Sequence, residues 1–99
     1  MVPEPEAQRI RSFILRLYWG DRDILYALRT GSVMWLSVGT AYYGDPASGE
    51  FKRTAWSTLN RFQGAGVVEG RGDGTFVLTL FGERVCETIA QEAFRWRRA

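Results

Sequence analysis

The sequence predicts an α+β domain, mostly helical, with a small antiparallel β-hairpin in its second half. Three observations predict it. Apolar residues recur at helical spacing over residues 6–18, 50–63 and 80–95. Two short runs of strand composition, 67–69 and 75–78, flank the glycine-rich turn Arg71-Gly72-Asp73-Gly74. Gly64 and Gly66 break the chain between the second periodic stretch and the hairpin.

Taken in order, residues 1–5 read as an extended lead, because Pro3 and Pro5 oppose a regular helix there. A helix over 6–18 follows from the stripe Ile10, Phe13, Ile14 and Leu17, with Arg9, Arg11 and Arg16 off it. Glu4 and Glu6 stand at the end where acids are favoured. Gly20 ends the helix. The stripe serves equally well as internal core or as a dimer seam. Asp21 is a good N-cap for a second helix, 21–29, with Ile24, Leu25 and Leu28 inward. Residues 32–43 have two readings: SVMWL is a short first strand, or it begins a helix. The reading taken is a helix over 32–42 with Val33 and Leu36 in the core, although Gly39 and the β-branched residues weaken it. GDPASG, residues 44–49, is an emphatic turn.

On a helical wheel of residues 50–63, Phe51, Ala55, Thr58, Leu59 and Phe62 share one side, the expected core face. The opposite side carries Arg53, Ser57, Asn60 and Arg61, bordered by Lys52, Thr54 and Trp56. No acid occurs from Lys52 through Gln63. Such a face can approach phosphate without repulsion and hold donors for base edges. It is also what an ordinary solvated helix looks like. Trp56 reads as packed against a neighbouring element rather than as a DNA contact. After the hairpin, Thr79 caps a final helix over 80–95 with a stripe of Val85, Ile89 and Ala93, Cys86 and Phe94 lying close to it. Gly82 permits close approach to the sheet. Arg95, Arg97 and Arg98 crowd the helix end and the tail to residue 99.

The segments TLNRFQGAGVVEG and FVLTLFGERV, joined by the glycine-rich tip, resemble small transcription regulators of the MarR, PadR and ArsR type. The second segment is similar to the LTxxG piece that closes the wing in those families. The resemblance implies a winged helix-turn-helix in a single domain, 1–99, with 21–79 as its core and extra N- and C-terminal helices outside it. GDPASG is longer than the tight turn of the simplest helix-turn-helix, which departs from the pattern.

The resemblance further implies sequence-specific binding of double-stranded DNA by a homodimeric transcriptional regulator. Lys52, Arg53, Thr54, Ser57, Asn60 and Arg61 are the expected DNA contacts on the recognition helix, with Arg71 at the wing tip. Phe13, Ile14, Leu17, Tyr18, Ile89, Phe94 and Trp96 are the expected dimer interface. The other reading is a winged helix used for protein contact within a transcription, replication or defence complex. The balance of 13 basic against 11 acidic residues, and the acids Glu69 and Asp73 in the wing, favour it.

Catalysis has little support. There is no histidine, which removes Ser-His-Asp and Cys-His chemistry and histidine-based metal sites. No cofactor is implied. The single cysteine, Cys86, excludes an internal disulfide and reads as a buried, inert thiol. Aromatics between helices leave room for a small-molecule effector, but nothing names one. No apolar run is long enough to cross a membrane and MVPEPEAQR is not a signal peptide, so a cytoplasmic protein is expected.

Overall fold

The structure, a computed structural model, describes residues 4–98 and the side chains of residues 4–92. Its first helix, α1 (Glu4–Leu15), begins two residues before the expected start. Pro5 is accepted there because the first turn of a helix has no internal partner for its N–H groups. The extended lead expected over 1–5 is therefore corrected at Glu4 and Pro5. The second helix, α2 (Asp21–Arg29), is entered through Gly20 at φ 86°. Asp21 does not cap it: its carboxylate is used elsewhere, as described below.

Three strands then follow where helices were expected. They are β1 (Val33–Ser37), β2 (Thr40–Asp45) and β3 (Glu50–Thr54). The helix over 32–42 is thus a β-hairpin. Its composition explains it: Val, Trp, Thr and two Tyr suit a pleated surface, and Val38-Gly39 is the two-residue turn. Both turn residues have positive φ, 51° at Val38 and 75° at Gly39. The GDPASG loop is a second hairpin connection, held by an Asp45 carboxylate that accepts from the Ala47 N–H at 2.9 Å.

The helix expected over 50–63 is shortened from the front. Residues 50–54 pair with β2, Tyr42 opposite Arg53 and Gly44 opposite Phe51. The chain leaves the strand at Ala55 in extended conformation and enters α3 (Trp56–Gly64). The helical wheel holds only from Trp56 onward. Thr58, Leu59 and Phe62 are buried, while Phe51 and Ala55, expected in the core, are exposed. α3 is accordingly preceded by a strand, β3, and not by a helix and a turn. Then come β4 (Val68–Gly70), β5 (Thr75–Leu78) and α4 (Leu80–Arg98).

The architecture is α+β: among the described residues, four helices and one five-stranded antiparallel sheet in the order β3-β2-β1-β5-β4. The sheet is larger than the hairpin alone. The expected ribbon is its β5-β4 edge, joined to β1 by the Met34–Phe76 and Trp35–Thr75 pairs.

Opposed residues of an antiparallel pair point to the same face. Met34, Tyr43 and Phe76 therefore share one face, extended by Ala41, Val68 and Leu78. This face meets Ile10 and Ile14 of α1, Ile24, Leu25 and Leu28 of α2, Leu59 and Phe62 of α3, and Val85 and Cys86 of α4 in one core. Leu36, an expected core residue, is 44% exposed at the sheet end, and Met34 is the wholly buried residue of β1. Thr79 caps α4 as expected, accepting from the Gly82 N–H at 3.0 Å and donating to the Gly66 carbonyl. At Gly82 a Cβ would lie 2.2 Å from the Val67 carbonyl oxygen, so the glycine is required for α4 to pack this close.

Candidate nucleic-acid interface

The residues expected to line one DNA-reading helix divide among three settings. Lys52, Arg53 and Thr54 lie on β3, the edge strand, with Lys52 and Arg53 exposed. Ser57 and Asn60 are exposed on α3, joined there by Gln63. Arg71 is exposed in the turn between β4 and β5, where its N–H donates to the Thr75 carbonyl at 3.0 Å. The helix and the strand are contiguous in sequence, so Lys52, Arg53, Ser57 and Asn60 remain neighbours along the chain. They do not form one helical face.

Arg61 is corrected from a DNA contact to an internal tether. Its guanidinium donates to both carboxylate oxygens of Asp21, at 3.0 and 3.1 Å. Asp21 is 2% exposed and also accepts from the Tyr18 N–H at 2.9 Å. The Arg61 guanidinium lies 4.3 Å from the Tyr18 ring centroid, a cation–π contact that closes the site from outside. This bidentate pair ties α3 to the entry of α2.

Trp56 was expected to pack inward. It is 52% exposed and, with Arg53, Gly39 and Thr40, lines a small groove between the β1–β2 turn and the start of α3. Sequence reasoning also missed the aromatic cluster beside it. Trp35, Tyr42 and Phe51 stand on three adjacent strands with ring centroids 5.5–5.8 Å apart. Their register places them with Arg53 on the sheet face opposite the core. The period-two alternation of Trp35, Tyr42 and Phe51 within their strands was the signal, legible once the hairpins are recognised.

At the hairpin, Asp73 accepts from the Thr75 hydroxyl at 2.6 Å and from its N–H at 2.9 Å. The Thr75 hydroxyl, followed by the Thr75 N–H, holds the Asp73 carboxyl below its ordinary pKa. Both acceptor contacts shape the turn.

The expected dimer residues have mixed settings. Ile14 is in the core, and Phe13, Leu17 and Ile89 pack against it, Phe13 edge-on to Phe62 at 5.9 Å. Ile14 is therefore not available for a partner. Tyr18 is exposed, as are its neighbours Leu15 and Trp19. The side chains of Phe94 and Trp96 lie outside the described residues. An open groove beside α1 is lined by Arg9, Phe13, Tyr18, Arg61 and Phe81, the aromatic setting considered for an effector.

Cys86 is buried, and its thiol faces the Leu25 carbonyl at 3.7 Å. Burial pushes the thiol up from its ordinary pKa, with Arg29 opposing. A protonated, enclosed thiol is a packing residue rather than a nucleophile. Among the described residues no cluster of three or more potential metal ligands occurs, and no helix is long and apolar enough to cross a membrane.

No family model matches the sequence, and no curated protein or solved structure shows significant similarity to it.

Proposed function

We propose that the protein binds double-stranded DNA through α3, the adjoining end of β3 and the β4–β5 hairpin. The observation that carries this reading is an acid-free surface of donors. Exposed Arg53 leads into the exposed side of α3, where Ser57, Asn60 and Gln63 offer a hydroxyl and two amides, while Lys52 stands on the opposite face of β3, beside Asp23 and Glu50. From Phe51 to Val68 there is no carboxylate to repel phosphate. Amide side chains pair bidentately with adenine edges, while arginine and lysine neutralise phosphate.

The connection of α3 to a two-stranded ribbon and a closing helix supports a winged-helix arrangement, with the β1–β2–β3 meander in place of the first helix of the helix-turn-helix. Arg71 at the ribbon turn is then the wing contact. Regulation of transcription as a homodimer is the role such a binder would serve. Exposed Leu15, Tyr18 and Trp19, at the end of α1, are the surface by which two copies would associate.

Fluorescence anisotropy with duplex DNA of mixed sequence, at low and moderate salt, tests the reading. Binding that weakens steeply with salt, and that Asn60→Ala weakens on a preferred sequence, supports it. Absence of duplex binding at low salt refutes it. The runner-up is protein contact through the same exposed α1 end, favoured by a Trp19 side chain wholly in solvent.

A further inference from the structure

The sheet has two faces of unlike fate. One is covered by the four helices and supplies every sheet residue of the core. On the other, the outward residues of β1, β2 and β3 are Val33, Trp35 and Ser37, then Thr40, Tyr42 and Gly44, then Phe51 and Arg53. Apart from Gly44, which the backbone of β3 shields, each is half-buried or exposed, and no core residue packs on them. A bare sheet face that carries three aromatic rings is not accounted for by the stability of the fold. Cross-strand aromatic pairs do support a hairpin. They do not require that the rings face solvent, and Phe51 remains 50% exposed.

The charge on this face selects among occupants. Arg53 is the one charged group on the outward face of β1–β3, and it stands opposite Tyr42 in the register. No acid shares those three strands' outward face. On the neighbouring strand Thr75 pairs with Trp35, and the Asp73 carboxylate beyond it is already engaged by the Thr75 hydroxyl and N–H. Glu69 points outward from β4, at the far edge of the sheet. A ligand on the rings therefore meets aromatic surface, a guanidinium at the β3 edge and no carboxylate on the same face of β1–β3. Unpaired nucleobases joined by phosphates have that complementary chemistry: bases stack on aromatic faces and the backbone takes the cation.

We propose that Trp35, Tyr42 and Phe51, with Arg53 at their edge, form a stacking platform for single-stranded nucleic acid. The platform lies on the sheet and the duplex surface proposed above lies on α3, with Arg53 shared between them. Trp35 and Tyr42 are stacked on one another, 19° from parallel, and the Phe51 ring stands edge-on to both, so a base would extend this stack on its outer side. Successive unpaired bases would lie along β1 to β3, and the groove of Arg53 and Trp56 would receive the backbone where the strand leaves the sheet.

The test is anisotropy of labelled oligothymidylate against the full chain, run beside a duplex of equal length. Wild type is expected to bind the single strand, quenching tryptophan fluorescence. Tyr42→Ala and Phe51→Ala should each weaken single-strand binding about 5- to 160-fold, the range that stacking one base contributes. Phe51→Leu, which keeps apolar bulk and removes the ring, guards against a simple folding defect and should weaken it in the same direction, whereas Tyr42→Phe should not. Arg53→Ala should lower the salt slope by about 0.7, as expected for one phosphate on a single strand. Asn60→Ala should leave single-strand binding unchanged. Failure of duplex binding with single-strand binding intact refutes the α3 reading and leaves the platform standing. Wild type that ignores oligothymidylate at low salt, or folded ring variants that bind it as well as wild type, overturns the platform. So does sedimentation in which Phe51→Leu dissolves a dimer, since the face would then be covered by a second copy.

Discussion

At the scale of single residues, the sharpest lesson is Arg61. Its type and spacing suited a base reader, yet its guanidinium is committed to a carboxylate that is almost wholly buried. Removing the arginine would leave the Asp21 charge unpaired in the interior, a severe change for a buried pair. Arg61 is about one third exposed, so solvent moderates the loss. Arg61→Ala is expected to lower unfolding free energy by about 2 kcal/mol, measured by urea denaturation. Asn60→Ala, on the exposed side of the same helix, should leave it within about 0.5 kcal/mol. Equal stabilities for the two variants would show that the tether contributes little. Val38 is the opposite case, a residue that the fold tolerates rather than uses. It is 99% exposed, β-branched and held at φ 51°. A left-handed conformation costs an ordinary side chain about 1 kcal/mol or more, and asparagine followed by glycine is the preferred pair for such a turn. Val38→Asn is expected to stabilise the protein by about 1 kcal/mol, seen as a rise in Tm. A fall would mean that the exposed valine makes a contact that a single chain does not reveal.

At the scale of elements, legibility followed the strength of the period. The helices α1, α2 and α4 and the β4–β5 hairpin were readable, because each has an apolar stripe or a glycine-rich turn that admits one interpretation. Residues 32–54 were not, because short strands and short helical segments share the same apolar fraction and only their turns distinguish them. Val38-Gly39 is a poor advertisement for a hairpin, lacking the usual Asn or Asp. Phe51 fell at a helical interval from Ala55 and Leu59, and this chance alignment extended the helix backward into β3. The candidate site suffered from the same error. Lys52 and Arg53 were recognisable as exposed cations, but the platform of Trp35, Tyr42 and Phe51 exists only when three strands are set side by side. One glycine decides whether they are. At Gly44, φ is 141° and a Cβ would sit 2.4 Å from the Glu50 carbonyl oxygen and 2.6 Å from the Phe51 Cα. Those are backbone atoms, with no flexible end to swing away. Gly44→Ala should therefore loosen β3 from β2, at a cost of about 1–3 kcal/mol. Hydrogen exchange should show lost protection at the amides of 50–54 before those of α4. Unchanged protection there would mean that the strands shift together without parting.

At the scale of the whole molecule, net charge is +2, too small for attraction by the overall field to govern binding. Association with a duplex would depend on a few placed cations, and salt dependence counts them. Arg53 and Arg71 are the exposed cations on the proposed surface. Each phosphate neutralised contributes about −0.9 to the slope of log K against log salt, so one chain should give about −2. Two chains on one site should give roughly twice that slope. For two copies to read successive major grooves, their α3 helices must stand about 34 Å apart, one turn of DNA. A pair so spaced is expected to prefer a site with two half-sites one turn apart. Shifting the half-sites by half a turn should then return the slope to the single-chain value and weaken binding. Arg71→Ala should remove about one unit per chain whatever the sequence, because a phosphate contact carries no base preference. A slope that stays the same on shifted half-sites would argue for independent chains. A slope near zero in wild type would sink the phosphate contacts of Arg53 and Arg71 together.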